Sequence, residues 1–330
     1  MSRPLRVGLQ LPEVERVVRW QELRGLAVLA EDVGFDSLWV GDHLLYRDEA
    51  GVATGPWEAW TSLAAIAAAT SRVRIGPLVA ATAFHGPAML AKLSATVQEI
   101  SGGRLVLGLG AGWNRVEFDG FGIPYDRRVA RFEEAFGIVV ALLAGEEVHV
   151  AGEFHHLDGT AIRPLPAAGP PPIMIGSIGP RMLRIAMPHA DAWNAWHAWF
   201  GNRPEGLAPL MSEVDRACYD VGRDPGEVER TAAVLVATPE GVGRRMGGEG
   251  SRPGTERSAP ISGTPSQVAD TLRGFAGAGL SAVQAVDFSN VTEEEIERVG
   301  AAIGSLLLNP HVGIATLQSD RPLHLHGNTA

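Results

Sequence analysis

Asp42 and His43 put a carboxylate and an imidazole side by side, directly after the apolar run SLWV and a glycine. Histidine is the common general acid or base near neutral pH, so His43 is a candidate for proton transfer. The competing reading is that Asp42 caps a turn and His43 is a surface residue. A second candidate is Gly176-Ser177-Ile178-Gly179-Pro180-Arg181, a glycine turn running into a helix start. Free backbone N–H groups and the helix dipole suit an anion there, with Arg181 and Arg184 adding charge; a plain tight turn would serve the sequence equally. A third is Gly108-Leu109-Gly110-Ala111-Gly112-Trp113-Asn114. It is close to a dinucleotide fingerprint, but Trp113 stands where the third glycine of GxGxxG belongs. Small residues there let backbone approach a flat ligand. The run Asp191–His197 adds aromatics that could stack on a ring, and residues 76–87 read as an apolar wall without catalytic groups.

Several chemistries are excluded by what is missing. No GxSxG elbow or P-loop occurs. The only lysine, Lys92, falls inside a helical pattern, so a Schiff base at a strand end is out. His155-His156 and the pair His324/His326 lack ligand partners at metal spacing; they read as solvated, and no metal centre is expected. The single cysteine, Cys218, excludes a disulfide framework and a cysteine zinc cage. With 28 basic against 38 acidic residues the net charge is −10, which disfavours nucleic acid and anionic membranes as partners. No apolar run approaches the roughly 20 residues of a membrane span. The first residues show no secretory pattern, so a cytoplasmic enzyme acting on a small molecule is expected.

These candidates need elements to hold them. Strand-like runs occur at Arg6–Leu11, Ser37–Val40, Val73–Val79, Arg104–Leu109, Ile173–Ile175, Ala192–Trp196, Ala232–Ala237 and Ala282–Val286. Each precedes a helical pattern: Val14–Val33, Pro56–Thr70, Pro87–Ser101, Arg128–Ala144, Pro180–Pro188, Gly206–Val221, Pro265–Ala278 and Thr292–Leu308. Eight such alternations predict an α/β fold, a single (β/α)8 TIM barrel over residues 1–310, rather than a doubly wound sheet. Residues 311–330 read as a loose tail. Insertions fall after strands 4 and 7: Gly145–Pro172, with a hairpin in VHVAGEFHHL, and the Gly- and Arg-rich Thr238–Gly263, expected to be a mobile loop on the catalytic face. Barrel active sites lie at the C-terminal strand ends, which is where Asp42, His43 and both glycine segments fall.

Taken together, EDVGFDSLWVGDH, WEAWTSLAAIAAATSRVRIGPLV, PAMLAKLSATVQEISGGRLVLGLGAGWNRVEFDGFGIP, PPIMIGSIGPRMLRIAMPHADAWN and GTPSQVADTLRGFAGAG resemble the bacterial-luciferase-like flavin and deazaflavin oxidoreductases, from Leu5 to Leu308. ISGGRLVLGLGAGWN followed by EF and FGIP is most similar to the subgroup that uses coenzyme F420. The resemblance implies a (β/α)8 barrel and hydride transfer between F420 and an organic substrate. The alternative is an FMN-dependent two-component monooxygenase, fed reduced flavin by a separate reductase and using oxygen. Outside the resemblance stand a phosphate-gripping lyase or isomerase without redox chemistry, and a non-catalytic flavin-binding protein. By position, His43 matches the histidine beside the reactive deazaflavin carbon, and Asp42 would shape the turn or touch the cofactor. Leu78 and Val79 match a bulge, often a non-prolyl cis peptide, that backs the ring. Ala111, Gly112 and Trp113 match the segment along the cofactor, and Gly176, Ser177, Ile178 and Gly179 the turn that holds its phosphate. His85-Gly86 departs from the family pattern, and Ser177 replaces a usual glycine. Glu117, Arg131 and Glu134 also match family positions, and an ion-pair set joining loop and helix is expected of them. Family members commonly pair through the first half, and Pro56–Thr70 is more apolar than one core-facing stripe requires, so a homodimer is expected.

Overall fold

The computed structural model describes residues 4–14, 16–47, 50–236, 258–286 and 291–306. Eight parallel strands run through it: β1 (Arg6–Gln10), β2 (Ser37–Val40), β3 (Arg74–Pro77, resumed at Ala80–Ala81), β4 (Leu107–Gly110), β5 (Ile173–Ile175), β6 (Ala192–Trp196), β7 (Glu229–Leu235) and β8 (Ala282–Val286). In the sheet the first half of β3 lies beside β2, followed by β1, β8, β7, β6, β5, β4 and the second half of β3. The two ends of the sheet are therefore halves of one strand, and Ile75 also bridges Leu105 beside β4. The sheet closes, and the expected barrel is what forms.

The crossovers are helical, as parallel pairing demands: α1 (Trp20–Asp32), α2 (Ala59–Ala69), α3 (Pro87–Ile100), α4 (Arg115–Phe121), α5 (Arg128–Leu143), α6 (Pro180–Ala186), α7 (Ala208–Asp220), α8 (Pro265–Gly277) and α9 (Glu293–Leu306). Pro87, Pro180 and Pro265 open their helices, and Thr264 with Gln267 forms a capping box on α8. Two starts come later than periodicity suggests. The first helix begins at Trp20 rather than Val14; the Val18 carbonyl, which a helix would use, accepts the Trp57 indole N–H at 2.7 Å. The second begins at Ala59 rather than Pro56, because Glu58 caps it by accepting the amides of Trp60 and Thr61. The hairpin Val148–Ala151/His156–Thr160 forms in the first insertion. The second insertion lies outside the described residues up to 257, as does the tail 311–330.

Alternation along the strands sorts two apolar layers. Leu9, Leu38, Ile75, Leu107, Ile175 and Trp193 join the core under the helices, while Trp39, Leu78, Val106, Met174, Ala192 and Ala233 form a second cluster. The Trp39 indole holds the middle of that inner cluster, its N–H on Ser37 Oγ at 2.9 Å. A Cβ on Gly8 would stand 2.7 Å from this ring, and one on Gly76 2.9 Å, so both positions must stay bare. Charged anchors fasten the strand starts. Asp36 accepts the Val7 amide at 2.7 Å and Asp191 the Ile173 amide at 2.8 Å. The Arg104 guanidinium donates to the carbonyls of Ala67, Thr70, Val73 and Ser101; the expected strand proper starts at Leu107, with residues 104–106 paired to Ile75 of β3 through a single bridge.

Candidate active site at the C-terminal strand ends

His43 follows β2 and is half-buried between aromatic rings, with Tyr46 at 4.8 Å and Trp113 edge-on at 5.7 Å. Its Nδ1 lies 3.0 and 3.1 Å from the two oxygens of Glu117. Glu117 sits on the first turn of α4, is 1% exposed, and also accepts the backbone amides of Leu44 (2.7 Å) and Leu45 (3.3 Å). A carboxylate only accepts. Nδ1 is therefore the donor of this contact. This is the arrangement of a base oriented by a third group.

Glu117 thus belongs to His43, not to an ion-pair set with Arg131 and Glu134. Arg131 donates to the Asp126 carbonyl and lies over the Phe154 ring at 4.4 Å. Glu134 accepts the amides of Glu153, Phe154 and His155 in the hairpin. The sequence carried a usable signal: a histidine with a catalytic role needs a carboxylate to fix its tautomer, and Glu117 opens the helix that follows Trp113 and Asn114.

Asp42 is 3% exposed and faces inward to protein donors: the Ala81 amide at 2.9 Å and His85 Nε2 at 3.1 Å. It ties the end of β2 to the second half of β3. Residues 76–87 are accordingly not a purely apolar wall. Burial lowers the pKa of His85, but the hydrogen bond and charge of Asp42, with Glu58 beyond, more than offset this, and the net shift is upward.

Between the halves of β3 the Leu78–Val79 peptide is cis and non-prolyl, where the bulge is expected. The Val79 side chain lies across the glycines of the neighbouring strands. A Cβ on Gly108, Gly110 or Gly176 would stand 3.0, 2.9 or 3.1 Å from its methyl groups. The bareness of Gly176 is therefore explained by Val79, without a ligand. Beside this bulge, the backbone N–H groups of Ala111, Gly112, Trp113, Ser177 and Ile178 meet no protein acceptor among the described residues, and each residue is half-buried. Gly179 directs its N–H to Ser177 Oγ at 3.3 Å, and Trp193 anchors the turn from outside through the Ser177 carbonyl at 2.7 Å. Arg181 pairs with Glu133 on α5, which ties its charge to that helix. Of the aromatics after β6, Trp193 is in the outer core and Trp196 packs against the inner cluster.

Two further groups are polar and poorly satisfied. Gly8 meets Trp39 across the interior and pairs in register with Gln284, so Gln10 and Gln284 share that inward face. Both are nearly fully buried, and neither amide oxygen has a donor among the described residues. Buried polar atoms normally have partners. Free N–H donors on the rim suit a ligand's oxygen atoms, and the unsatisfied amide oxygens within suit its N–H or O–H groups. Among the described residues no group of histidine, cysteine and carboxylate side chains could hold a metal ion, and no helix is long and apolar enough to cross a membrane.

Comparisons with known proteins agree with this geometry. The profile of luciferase-like monooxygenases matches residues 5–242. The chain is 32% identical over 233 residues to 5,10-methylenetetrahydromethanopterin reductase of Archaeoglobus fulgidus, covering 67% of this chain and 66% of that protein. It is 33% identical over 234 residues to phthiodiolone/phenolphthiodiolone dimycocerosates ketoreductase of Mycobacterium kansasii, covering 65% and 63%. The chain thus spans slightly less than two thirds of the length of either relative. Among solved structures, an F420-dependent secondary alcohol dehydrogenase in complex with an F420-acetone adduct superposes with a TM-score of 0.76 at 18% identity, over 92% of this chain and 99% of that one.

Proposed function

The chain belongs to the luciferase-like monooxygenase family, and from that premise we propose that it is an oxidoreductase moving a hydride between coenzyme F420 and a small organic substrate. The observation that carries this reading is the oriented pair His43–Glu117 at 3.0 Å, next to a rim of unpaired backbone donors. The relatives named above support it, two of them reductases and one an F420-dependent dehydrogenase.

In this reading Leu78 and Val79 back the ring of the cofactor. Ala111, Gly112 and Trp113 lie along it, and Gly176, Ser177, Ile178 and Gly179 hold its phosphate through backbone N–H groups. Asp42 acts on the cofactor side through Ala81 and the bulge. The cofactor, when bound, supplies hydride chemistry. The chain's own part is to exclude water with Trp113, Tyr46 and the bulge, and to pass a proton through His43 Nε2 as charge develops on the substrate. Gln10 and Gln284 are placed to meet polar atoms of the ligand.

The second reading, an FMN-dependent monooxygenase served by a separate reductase, is favoured by the matched family itself. As part of the proposal the enzyme works in the cytoplasm, which suits a chain with one buried free cysteine. It works there as a homodimer, which exposed Trp57 and Met89 beside α2 and α3 would help to join.

The test is titration of the purified protein with F420 and with FMN, followed by F420 reduction and oxidation assays against alcohols, ketones and imines. Tighter binding of F420, and a His43→Ala variant whose turnover falls about 10²–10⁴-fold with cofactor affinity held within a few-fold, are expected. Binding of FMN alone would shift the reading to the monooxygenase. A His43→Ala enzyme at wild-type rate would remove the histidine from the mechanism.

A further inference from the structure

A partly open cleft of about 60 Å³ lies between the turn Thr82–Phe84, the loop from α4 to α5, Arg131 and the hairpin residue His155. Ile123 and Pro124 wall it, and its polar lining is Thr82, His85, Arg131 and His155. A single water needs about 10–15 Å³ of such space, so it has room for several waters or for one carboxylate or phosphate group.

Each polar side chain that lines it can donate, the two imidazoles most fully when protonated. Thr82 is 3% exposed, yet its hydroxyl has no protein partner among the described residues. His85 directs Nε2 to Asp42, which leaves Nδ1, a donor only in the protonated ring. Arg131 directs Nε to the Asp126 carbonyl and has Nη2 3.7 Å from the Asp126 carboxylate, leaving Nη1. His155 gives its backbone amide to Glu134, while its ring has no protein partner among the described residues.

No carboxylate lines the space. Asp42 and Glu58 act on His85 from elsewhere, Asp126 flanks Arg131, and the Glu134 oxygens are taken by three backbone amides. One guanidinium, two imidazoles and a hydroxyl, with no carboxylate among them, favour an anion in this space.

We infer that this cleft binds a small oxyanion, the carboxylate or phosphate group of a metabolite or a free ion of that kind, beside the C-terminal end of β3. Burial lowers the pKa of His155, and Arg131 lowers it further against the opposing Glu134; an anion in the cleft would reverse that direction. The bound anion would also favour protonated His85, tightening its hold on Asp42 and so on Ala81 of β3. The site does not depend on which redox cofactor the mouth takes.

The test is titration of the ¹⁵N-labelled full chain with sodium phosphate, and separately with sodium acetate, against sodium chloride at equal ionic strength. Histidine ring resonances and the thermal midpoint are followed, with His155 assigned by its loss in His155→Gln. Millimolar phosphate or acetate should shift the His155 resonance, raise its titration midpoint and raise the thermal midpoint by linkage. A response to phosphate alone would mark a tetrahedral anion, and a response to both a carboxylate-sized one. Arg131→Gln should weaken the response about tenfold or more, the loss of one charge-assisted hydrogen bond. Thr82→Val, nearly isosteric, should weaken it with the fold retained. No His155 response to either oxyanion, an equal response to chloride, or unchanged affinity in both variants would overturn the inference.

Discussion

Replacing Glu117 by Gln tests the site at its pivot. The carboxylate accepts from three donors: His43 Nδ1, the Leu44 amide and, more weakly, the Leu45 amide. A glutamine of the same shape can keep its oxygen on Leu44, but its NH₂ then faces His43. Two donors cannot share that gap, so Nδ1 must lose its proton and the neutral ring must change to the Nε2–H tautomer. One charge-assisted hydrogen bond disappears from a site that is 1% exposed. Such a bond is worth about 1.5–3 kcal/mol, so the thermal midpoint should fall by several degrees. An outer partner that fixes a functional histidine commonly contributes about 10–100-fold; turnover should fall by that much while cofactor binding, which the proposal assigns to backbone N–H groups, stays put. The assay that needs no substrate is ¹⁵N NMR of the histidine rings at a pH that leaves them neutral. The wild-type ring should show Nδ1–H and the variant Nε2–H. A wild-type ring in the Nε2–H form, or a variant that keeps Nδ1–H with unchanged stability, would refute the reasoning.

Three further expectations concern stability. Gly110→Ala puts a Cβ 2.9 Å from a Val79 methyl that is already pressed between Gly108 and Gly176, and should cost about 1–3 kcal/mol by overpacking. Gly179→Ala, whose nearest neighbour is at 3.8 Å, should be near neutral; calorimetry that finds the two alike would contradict the role given to Val79. The raised pKa of His85 contributes stability that is complete below the ordinary value of 6.5 and is lost as pH rises through the folded-state value. Thermal midpoints measured upward through that range should decline, and His85→Gln should flatten the decline. Glu31 goes the other way. Burial would raise its pKa, but the amides of Ser71, Arg72 and Val73 pull it to about 2, so its contribution stands above 4.5 and fades as pH falls toward 2. Acid titration of Glu31→Gln should lack that component, and identical acid midpoints would count against it.

The barrel was legible because its elements are local. SLWV, IMI and AWNAW are strands at the boundaries their patterns suggest, and prolines mark helix starts that the backbone needs in any context. The start of α1 moved through a contact distant in sequence, Trp57 on the Val18 carbonyl. The site divides the same way. The position of His43 after β2 follows from strand order, and the cis bulge at Leu78–Val79 from family likeness. The partner of His43 lies 74 positions away, and His85 reaches Asp42 across 43; no spacing rule reports such pairs. The bareness of Gly176 is set by the Val79 side chain from another strand, a contact no local pattern reports.

The ties at the strand starts have a consequence for how this scaffold can diversify. Glu31 gathers the amides of residues 71–73, Arg104 the carbonyls around them, and Asp36 and Asp191 each clasp a neighbouring strand. All of these sit at the end of the barrel away from His43. Mechanical integrity and chemical identity are thus written at opposite poles of the molecule. Drift in the loops beyond the C-terminal strand ends can alter what is recognised while the clamps beneath hold the frame. Substitutions that retune substrate preference should therefore be inherited with little penalty in folding, whereas the pole of Arg104 should tolerate almost none.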